Sequence, residues 1–158
     1  MLKKEIIMEK EQMIQALQQI VTELSNQVEM HTMQAIIFGD QKFVKLEEKY
    51  NSHAKEEREF QKKFASRILD LGGKVELQQR EALNLIEDPI EFLKADLEIS
   101  KDGVPKVDKL VEASITDHIS YDLLKEYYKD EAEDLLWSET ELELIEKIGK
   151  ENWLLLQL

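Results

Sequence analysis

The stretch that decides the fold is residues 120–149, SYDLLKEYYKDEAEDLLWSETELELIEKIG, because its apolar residues recur at the spacing of an α-helix. One face of this predicted helix carries the apolar residues Leu124, Tyr127, Leu135, Leu142 and Ile145. Glu131 and Asp134 fall on the same face, so two acids are predicted to point at the core. Burying an unpaired carboxylate is costly. The pattern therefore predicts a compensating cation, a shared proton or a water-filled pocket beside this helix.

An earlier segment shows the same anomaly. Its apolar face is formed by Phe43, Leu46, Tyr50, Phe60, Phe64, Ile68 and Leu71. His53 and Glu57 complete this face, so a second helix is predicted to direct an acid at the core. Acids on two facing helices strengthen the expectation of a compensating charge between them.

The composition is that of a helical protein with one hydrophobic core. The chain has 158 residues, of which 42% are hydrophobic and 35% charged, so residues 1–158 are predicted to form a single domain. Only 5 Gly and 2 Pro interrupt a sequence rich in Leu, Glu, Lys, Ile and Gln, which predicts an all-α fold. The absence of Cys excludes disulfides, zinc–thiolate sites and thiol catalysis.

The charge of the chain argues against a nucleic acid as partner. With 21 Lys and Arg against 34 Asp and Glu, the formal net charge is −13, and such a surface repels phosphate backbones. No segment approaches the roughly 18 consecutive apolar residues of a membrane span. The expected location is therefore the cytoplasm, and no membrane is expected as a partner.

Two long helices are predicted in the first half of the chain. Apolar residues at helical spacing run over residues 8–38 and again over residues 41–71. The pair Gly39-Asp40 marks the turn between these helices, and Gly72-Gly73 ends the second one. Each helix has about 30 residues and is roughly 45 Å long. Together they predict an antiparallel hairpin.

A long crossover, residues 73–89, precedes the second half of the chain. At about 3.3 Å per residue it is long enough to travel the length of the bundle, so the next helix runs parallel to the second. That third helix begins at Pro89, breaks at residues 102–105 in a kink or a short loop, and resumes to about residue 117. The fourth helix covers 120–149, and a short apolar tail helix follows. The prediction is a four-helix bundle.

Several stretches of sequence resemble the ferritin-like superfamily. Residues 137–157, WSETELELIEKIGKENWLLLQ, resemble the end of a bacterioferritin, where a Trp-x-Glu-Thr-x-Leu-x-Leu-Ile helix runs into an Ile-Gly-x-x-Asn-aromatic-Leu tail. Residues 43–50, FVKLEEKY, and 67–73, RILDLGG, resemble the second helix of the DNA-protecting mini-ferritins. Residues 53–57, HAKEE, are similar to the second-helix motif of ferritins and bacterioferritins. The resemblance implies a ferritin-like four-helix bundle with one long crossover.

The resemblance also implies a metal centre. The iron site of the superfamily takes one Glu from each of two helices and a Glu-x-x-His motif from each of the other two. Carried over to this chain, the metal ligands are Glu23 on the first helix, Glu57 on the second, and Glu131 with Asp134 on the fourth. These oxygen ligands suit iron or another divalent cation such as Mn²⁺, Ca²⁺ or Mg²⁺.

The chain departs from the motif at several positions. Phe60 and Asp134 stand where His is expected, and Ser100 stands where the third helix should supply Glu, with Asp96 one turn earlier. A complete dinuclear centre is therefore not expected. Arg58 occupies the position of the haem-binding Met of bacterioferritin, so no haem is expected.

Two functions follow from the resemblance. The first is iron storage, in which Fe²⁺ enters between acidic helices, is oxidised by O₂ or peroxide, and is stored as mineral in a cage assembled from dimers. Because the His positions are lost, ferroxidase activity stays an open question. The alternative is a ferritin-like structural or binding protein without ferroxidase activity. DNA binding in the manner of the mini-ferritins is a third hypothesis, against which the charge argues.

The candidate residues also have simpler explanations. A small rotation of the helices would bring Glu57, Glu131 and Asp134 to solvent or into pairs with Lys or Arg. Histidines such as His31 and His53 are more often hydrogen-bonded core residues than metal ligands.

Overall fold

The computed structural model describes residues 8–158, and it is helical with one long irregular connection. The described part of the chain contains the helices α1 (Lys10–Asp40), α2 (Val44–Asp70), α3 (Pro89–Ala113), α4 (His118–Ile148) and α5 (Lys150–Leu155), and no strand. The predicted all-α fold, with four long helices and a short tail helix, is confirmed.

The helices α1 and α2 form the predicted antiparallel hairpin. The turn between them includes Lys42, whose φ of 70° is unusual for a residue other than glycine. The end of α2 is set by Gly72, which has a φ of 82°, and by the backbone N–H groups of Gly72 and Gly73, which donate to Leu69 and Ile68. This arrangement satisfies the last carbonyls of the helix, and glycine adopts the positive φ without a steric penalty.

The crossover runs along α1 and is attached to it by two buried glutamines. Gln18 near the beginning of α1 donates to the Glu76 carbonyl at 2.6 Å and accepts from its N–H at 3.0 Å. Gln34 makes the same pair of bonds with Ile86, both at 2.8 Å. Because Glu76 lies beside the start of α1 and Ile86 beside its later half, the crossover travels in the direction of α1. It therefore returns the chain to the beginning of α2, and α3 runs parallel to α2.

The helix α3 is continuous, which corrects the predicted interruption at residues 102–105. Pro105 lies inside the helix, where it cannot donate to the carbonyl of Lys101. Val104 and Val107 on either side of it are buried, whereas Lys101 and Pro105 are exposed. Core packing of the two valines holds the helical path, and water can bond the carbonyl left free. The prediction of a short loop was wrong because it considered only the local signals of Gly and Pro.

The link between α3 and α4 is longer than predicted, with residues 114–117 in place of 118–119. The helix α3 ends at Ala113 rather than near residue 117, and α4 begins at His118 rather than at 120. Asp117 caps α4 by accepting from the Ser120 N–H at 3.2 Å. The same carboxylate accepts from Arg67 Nη2 of α2 at 2.8 Å. This residue therefore fixes the start of α4 against the end of α2.

The core of the bundle has two apolar halves. One half is formed by Met13, Leu17, Ile20, Val21, Leu24, Phe60, Phe64, Ile68, Val107, Leu124 and Tyr127. The other half is formed by Met30, Ala35, Phe38, Leu46, Tyr50, Ile90, Phe92, Leu93, Ile145 and Trp153. The buried polar residues His53, Glu57, Asp96 and Glu131 lie on the helices between these two groups, and His31 lies at the edge of the second group, next to Met30. Charged groups thus occupy the middle level of the bundle.

The tail helix α5 packs on its own chain. Gly149, with a φ of 86°, turns the chain from α4 into α5. Trp153 is buried completely and its Nε1 donates to Glu141 Oε2 at 2.7 Å. Lys45 at the start of α2 donates from its backbone N–H to Gln157 at 3.0 Å and from Nζ to Leu156 at 2.8 Å. The tail therefore closes one end of the bundle. Over residues 8–158, every helix is too short or too polar to cross a membrane.

Candidate metal centre

His31 joins three helices in the middle of the bundle. Its Nδ1 lies 2.8 Å from Glu57 Oε2 on α2, and its Nε2 lies 2.9 Å from Asp96 Oδ1 on α3. All three side chains are buried, and Glu57 is only 2% exposed. Both ring nitrogens of the imidazole are therefore engaged by acids. The sequence predicted a compensating cation, a shared proton or a water-filled pocket beside the inward-facing acids, and this contact is compatible with the shared proton.

The titration of this group follows from its surroundings. Burial alone lowers the pKa of His31, but the charges of Asp96 and Glu57 and their hydrogen bonds outweigh it and raise the pKa well above 6.5. Burial raises the pKa of Glu57, while His31 acts in the opposite direction. The three groups therefore hold a proton between them in the absence of another cation.

His53 extends this cluster towards α4. It is 3% exposed, and its Nε2 lies 3.1 Å from Asp134 Oδ1, but the geometry is not that of a hydrogen bond. Within the part of the chain that the structure describes, this Nε2 has no hydrogen-bond partner. The rings of His31, Tyr50 and Trp137 lie 5.5, 5.7 and 5.9 Å from that of His53 between centroids. Aromatic packing thus holds the side chain of His53, while its Nε2 makes no hydrogen bond among the described residues.

Glu131 on α4 is the second predicted inward acid, and it is buried. Burial, and then the charges of Glu57 and Asp134, raise the pKa of Glu131 well above its usual value. Asp130 beside it is half-buried, and burial followed by the charge of Asp134 raises its pKa to about 7. Oxygen atoms of Asp130, Glu131 and Asp134 lie within 4.8 Å of one another. We call these three residues the acidic group.

A cavity of about 470 Å³ leads from the surface towards Glu131. It lies between α1, α3 and α4, and its walls include Glu23, Lys106, Ile99 and Tyr127. Glu23 itself is exposed, so it lies at the mouth of the cavity and not in the buried cluster. Of the four predicted ligands, Glu57, Glu131 and Asp134 therefore lie in or beside the bundle interior, and Glu23 lies on the approach to them.

The positions that depart from the family motif have local explanations. Phe60 is buried and packs on Phe64 and Tyr127, with ring centroids 6.3 and 5.2 Å away. This aromatic contact fills the space of the expected imidazole. Ser100 is half-buried on α3 one turn after Asp96, so the acid that α3 contributes to the interior comes from Asp96. The sequence indicated Asp96 only as a neighbour of the expected position.

Sequence reasoning treated His31 and His53 as core histidines and did not connect them with Asp96. The structure brings His31, His53 and Asp96 within 4.8 Å of one another through one donor atom each. Among residues 8–158, the bundle therefore contains two groups of side chains that suit a cation, one of histidines with a carboxylate and one of carboxylates alone. Both groups combine buried charge with donors from several helices, which is typical of a metal-binding four-helix bundle.

Comparison with known proteins agrees with this architecture. The family model described as ferritin-like domain matches residues 10–148, from the beginning of α1 to the end of α4. The bacterial ferritin of Neisseria meningitidis serogroup A is 36% identical over 121 residues, which cover 74% of this chain and 77% of that relative. The bacterial ferritins of N. meningitidis serogroup B and of Neisseria gonorrhoeae match with the same identity and coverage.

Proposed function

Because the chain belongs to the ferritin-like domain family, we propose that it is an iron-storage protein that takes Fe²⁺ into the middle of its bundle. The observation that carries the proposal is the pair of buried acids, Glu57 and Glu131, that α2 and α4 contribute to the interior. Burying two carboxylates this deeply is unfavourable unless a positive charge joins them. The ferritin-like relatives make iron the first candidate for that charge.

The cavity beside Glu131 supports an entry path for the ion. Glu23 at its mouth and Glu131 at its inner wall offer carboxylate oxygens at two depths. The carboxylates of its lining, Glu23, Asp102 and Glu131, outnumber the lysines, Lys106 and Lys109, and an excess of negative charge in a cavity attracts cations. We propose that Fe²⁺ passes Glu23 and is bound by Glu57, Glu131 and Asp134, so that all four residues take part in binding.

Oxidation at this site is the next step of the proposal. Each Fe²⁺ gives up one electron, and O₂ or peroxide accepts the electrons and takes protons from solvent to form water. The carboxylates stabilise the Fe³⁺ product, because hard oxygen ligands prefer the higher charge. Ferric ion would then accumulate as mineral inside a homo-oligomeric cage built from dimers of this single-domain chain. The cytoplasm is the proposed location.

The surface of the chain supports assembly. Large apolar side chains are more than half exposed at Ile36, Leu69, Ile119 and Leu136 on three different helices. Burying these residues against other copies of the chain would remove apolar surface from water, which is favourable. The proposed likeness to the DNA-protecting mini-ferritins stays a prediction.

Aerobic oxidation of Fe²⁺ tests the proposed function. Absorbance of the ferric product should rise faster with the protein than in buffer, and Glu131→Gln should slow the rise by about tenfold or more, because an inner carboxylate is lost. Glu133→Gln is the matched control, since it makes the same change at an exposed position of α4. An oxidation rate equal to that of buffer, and equal in Glu131→Gln, would overturn the ferroxidase step.

A second candidate function is a ferritin-like structural or binding protein without ferroxidase activity. It is favoured by Phe60, whose packing on Phe64 and Tyr127 puts an apolar wall where the family has an iron ligand. Phe60→His discriminates the two functions. If the site is an inactive remnant that lacks a ligand, Phe60→His gains oxidation that the parent chain lacks, whereas Phe60→Leu does not.

A further inference from the structure

The two buried histidines and Asp96 come from three different helices and meet at one point. His31 on α1, His53 on α2 and Asp96 on α3 are buried, and one donor atom from each lies within 4.8 Å of the others. We propose that these residues form a site for one first-row transition-metal cation, here called the histidine site. It is distinct from the acidic group, and it does not depend on oxidation of iron by this protein.

The distances fit ligands that share an ion. At metal–ligand bonds of about 2.1 Å, neighbouring ligands of an octahedral ion are about 3.0 Å apart and opposite ligands about 4.2 Å apart. His31 Nε2 and Asp96 Oδ1 are separated by 2.9 Å, which matches a neighbouring pair. The outer limit of 4.8 Å among the three donors exceeds an opposite pair by a few tenths of an ångström. Small rotations of the side chains would close the site around an ion.

Glu57 supplies the partner that metal-binding imidazoles commonly have. A histidine ligand usually donates its other ring N–H to a carboxylate, which fixes the tautomer and the orientation of the ring. His31 Nδ1 lies 2.8 Å from Glu57 Oε2, so Glu57 takes this part and leaves Nε2 directed at Asp96. In the absence of a bound cation, Nε2 donates a proton to Asp96 across this 2.9 Å contact, and a metal cation would take the place of that proton. Glu57 is then a positioning residue for this site, and its second oxygen stays free for the acidic group.

His53 independently supports a cation site at this point. Its Nε2 is buried and, among the residues the structure describes, has no hydrogen-bond partner, although Asp134 Oδ1 is only 3.1 Å away. Leaving a buried polar atom without a partner is unfavourable, because the atom has lost its contact with water. This Nε2 is therefore available to bind a cation, while Asp134 belongs to the acidic group.

The donor set selects the kind of cation. Two imidazoles with one carboxylate suit Fe²⁺, Co²⁺ or Zn²⁺, whereas Ca²⁺ and Mg²⁺ prefer oxygen ligands alone. Aromatic rings cover the other side of the site, with Tyr50 5.6 Å and Phe92 6.2 Å from His31 between centroids. Aromatic packing of this kind lowers the local dielectric constant, which strengthens the attraction of charged ligands for an ion.

Titration of the metal-free full-length protein with Co²⁺ tests the histidine site. The wild-type chain should bind one Co²⁺ with visible absorption bands shaped by nitrogen ligands, apart from any Co²⁺ held by carboxylates alone, and Zn²⁺ should displace it. His53→Asn should weaken Co²⁺ binding at least tenfold. The chain has only 3 histidines, and the third, His118, is exposed at the start of α4, so His118→Asn is the matched control and should bind as the wild type does.

A second measurement separates this site from the proposed iron site. X-ray absorption of the Zn²⁺-loaded wild-type protein should show outer-shell scattering from two imidazoles, which carboxylates alone do not give. Glu131→Gln should retain this signal even where it abolishes Fe²⁺ oxidation. Absence of Co²⁺ binding in the wild type, or Zn²⁺ spectra without imidazole scattering, would overturn the histidine site and leave the proposed iron site standing.

Discussion

Asp117 is a single side chain that stabilises two helices. It accepts from the N–H and the hydroxyl of Ser120 on α4, and from Arg67 on α2. Partial burial alone would raise the pKa of Asp117, but the hydrogen bonds from Ser120 and Arg67 outweigh it and lower the pKa below 3.8. The folded protein therefore stabilises the ionised form of Asp117 more than the unfolded chain does.

We predict that Asp117→Asn destabilises the protein at neutral pH by about 1–2 kcal/mol, because the charge-assisted bonds to Arg67 are lost while asparagine can still cap α4. A lowered folded pKa means that the contribution is complete above the unfolded pKa and is lost as the pH falls through the folded value. Urea unfolding of the wild type and of Asp117→Asn measures this effect. The free energies of unfolding of the two proteins should differ at neutral pH and become equal in acid. Asp122→Asn, at an exposed position of α4, is the control. If the free energy of unfolding of Asp117→Asn stayed below that of the wild type in strong acid, the stabilising role of the ionised Asp117 would be contradicted.

At this scale the sequence predicts which acids point inward, but not what they contact. The burial of Glu57 and Glu131 follows from their spacing among apolar residues of a single helix. The bond from His31 to Asp96 depends on the rotation of α3 relative to α1, which no local pattern specifies. Glu23 was placed by analogy with the family, and in the structure it lies at the cavity mouth; its role as a ligand stays a prediction.

The helix α3 shows that packing can override a local break signal. Pro105 removes one backbone hydrogen bond from a helix whose continuity is maintained by Val104 and Val107. We predict that Pro105→Ala raises the free energy of unfolding by about 1–3 kcal/mol, since alanine restores the bond to Lys101 and relieves the ring clash. Denaturant titration measures the change. Ala113→Gly, a helix-weakening change near the end of α3, should act in the opposite direction.

Helix ends were predicted well where turn chemistry is local. Gly72 and Pro89 mark the end of α2 and the start of α3, because positive φ and the missing proline N–H restrict where these residues fit. The break within α3 was mispredicted for the complementary reason. Gly103 and Pro105 indicate a loop only when no tertiary contact opposes it, and the sequence does not show the contacts of the valines beside them.

At the scale of the whole molecule, we predict a particle several times heavier than the 18.6 kDa chain. The exposed apolar residues Ile36, Leu69 and Leu136 would be buried between copies, which is favourable at about 25 cal/mol per Å² of apolar surface. Sedimentation of the purified protein measures the mass. A sharp monomer at micromolar concentration would contradict the proposed cage, although it would leave the bundle intact.

The path of the chain between its halves was predictable from length alone. A segment as long as the crossover can span the bundle, so a parallel third helix follows from simple reach. How the crossover is held was not predictable, because glutamines such as Gln18 and Gln34 carry no distinctive signal in the sequence. The arrangement of subunits is likewise absent from the pattern of one chain.

The two glutamine attachments also set a minimum length for the segment of the crossover between them. Gln18 and Gln34 are separated by about 24 Å along α1, while the stretch from Glu76 to Ile86 reaches about 33 Å when fully extended. Only about three residues of this stretch are slack. Insertions between the two anchors would cost little, since closing a longer loop is cheap, whereas deletions of four or more would detach one anchor. We therefore expect this segment to accept inserted residues but not deletions, which makes it a suitable place to graft a peptide.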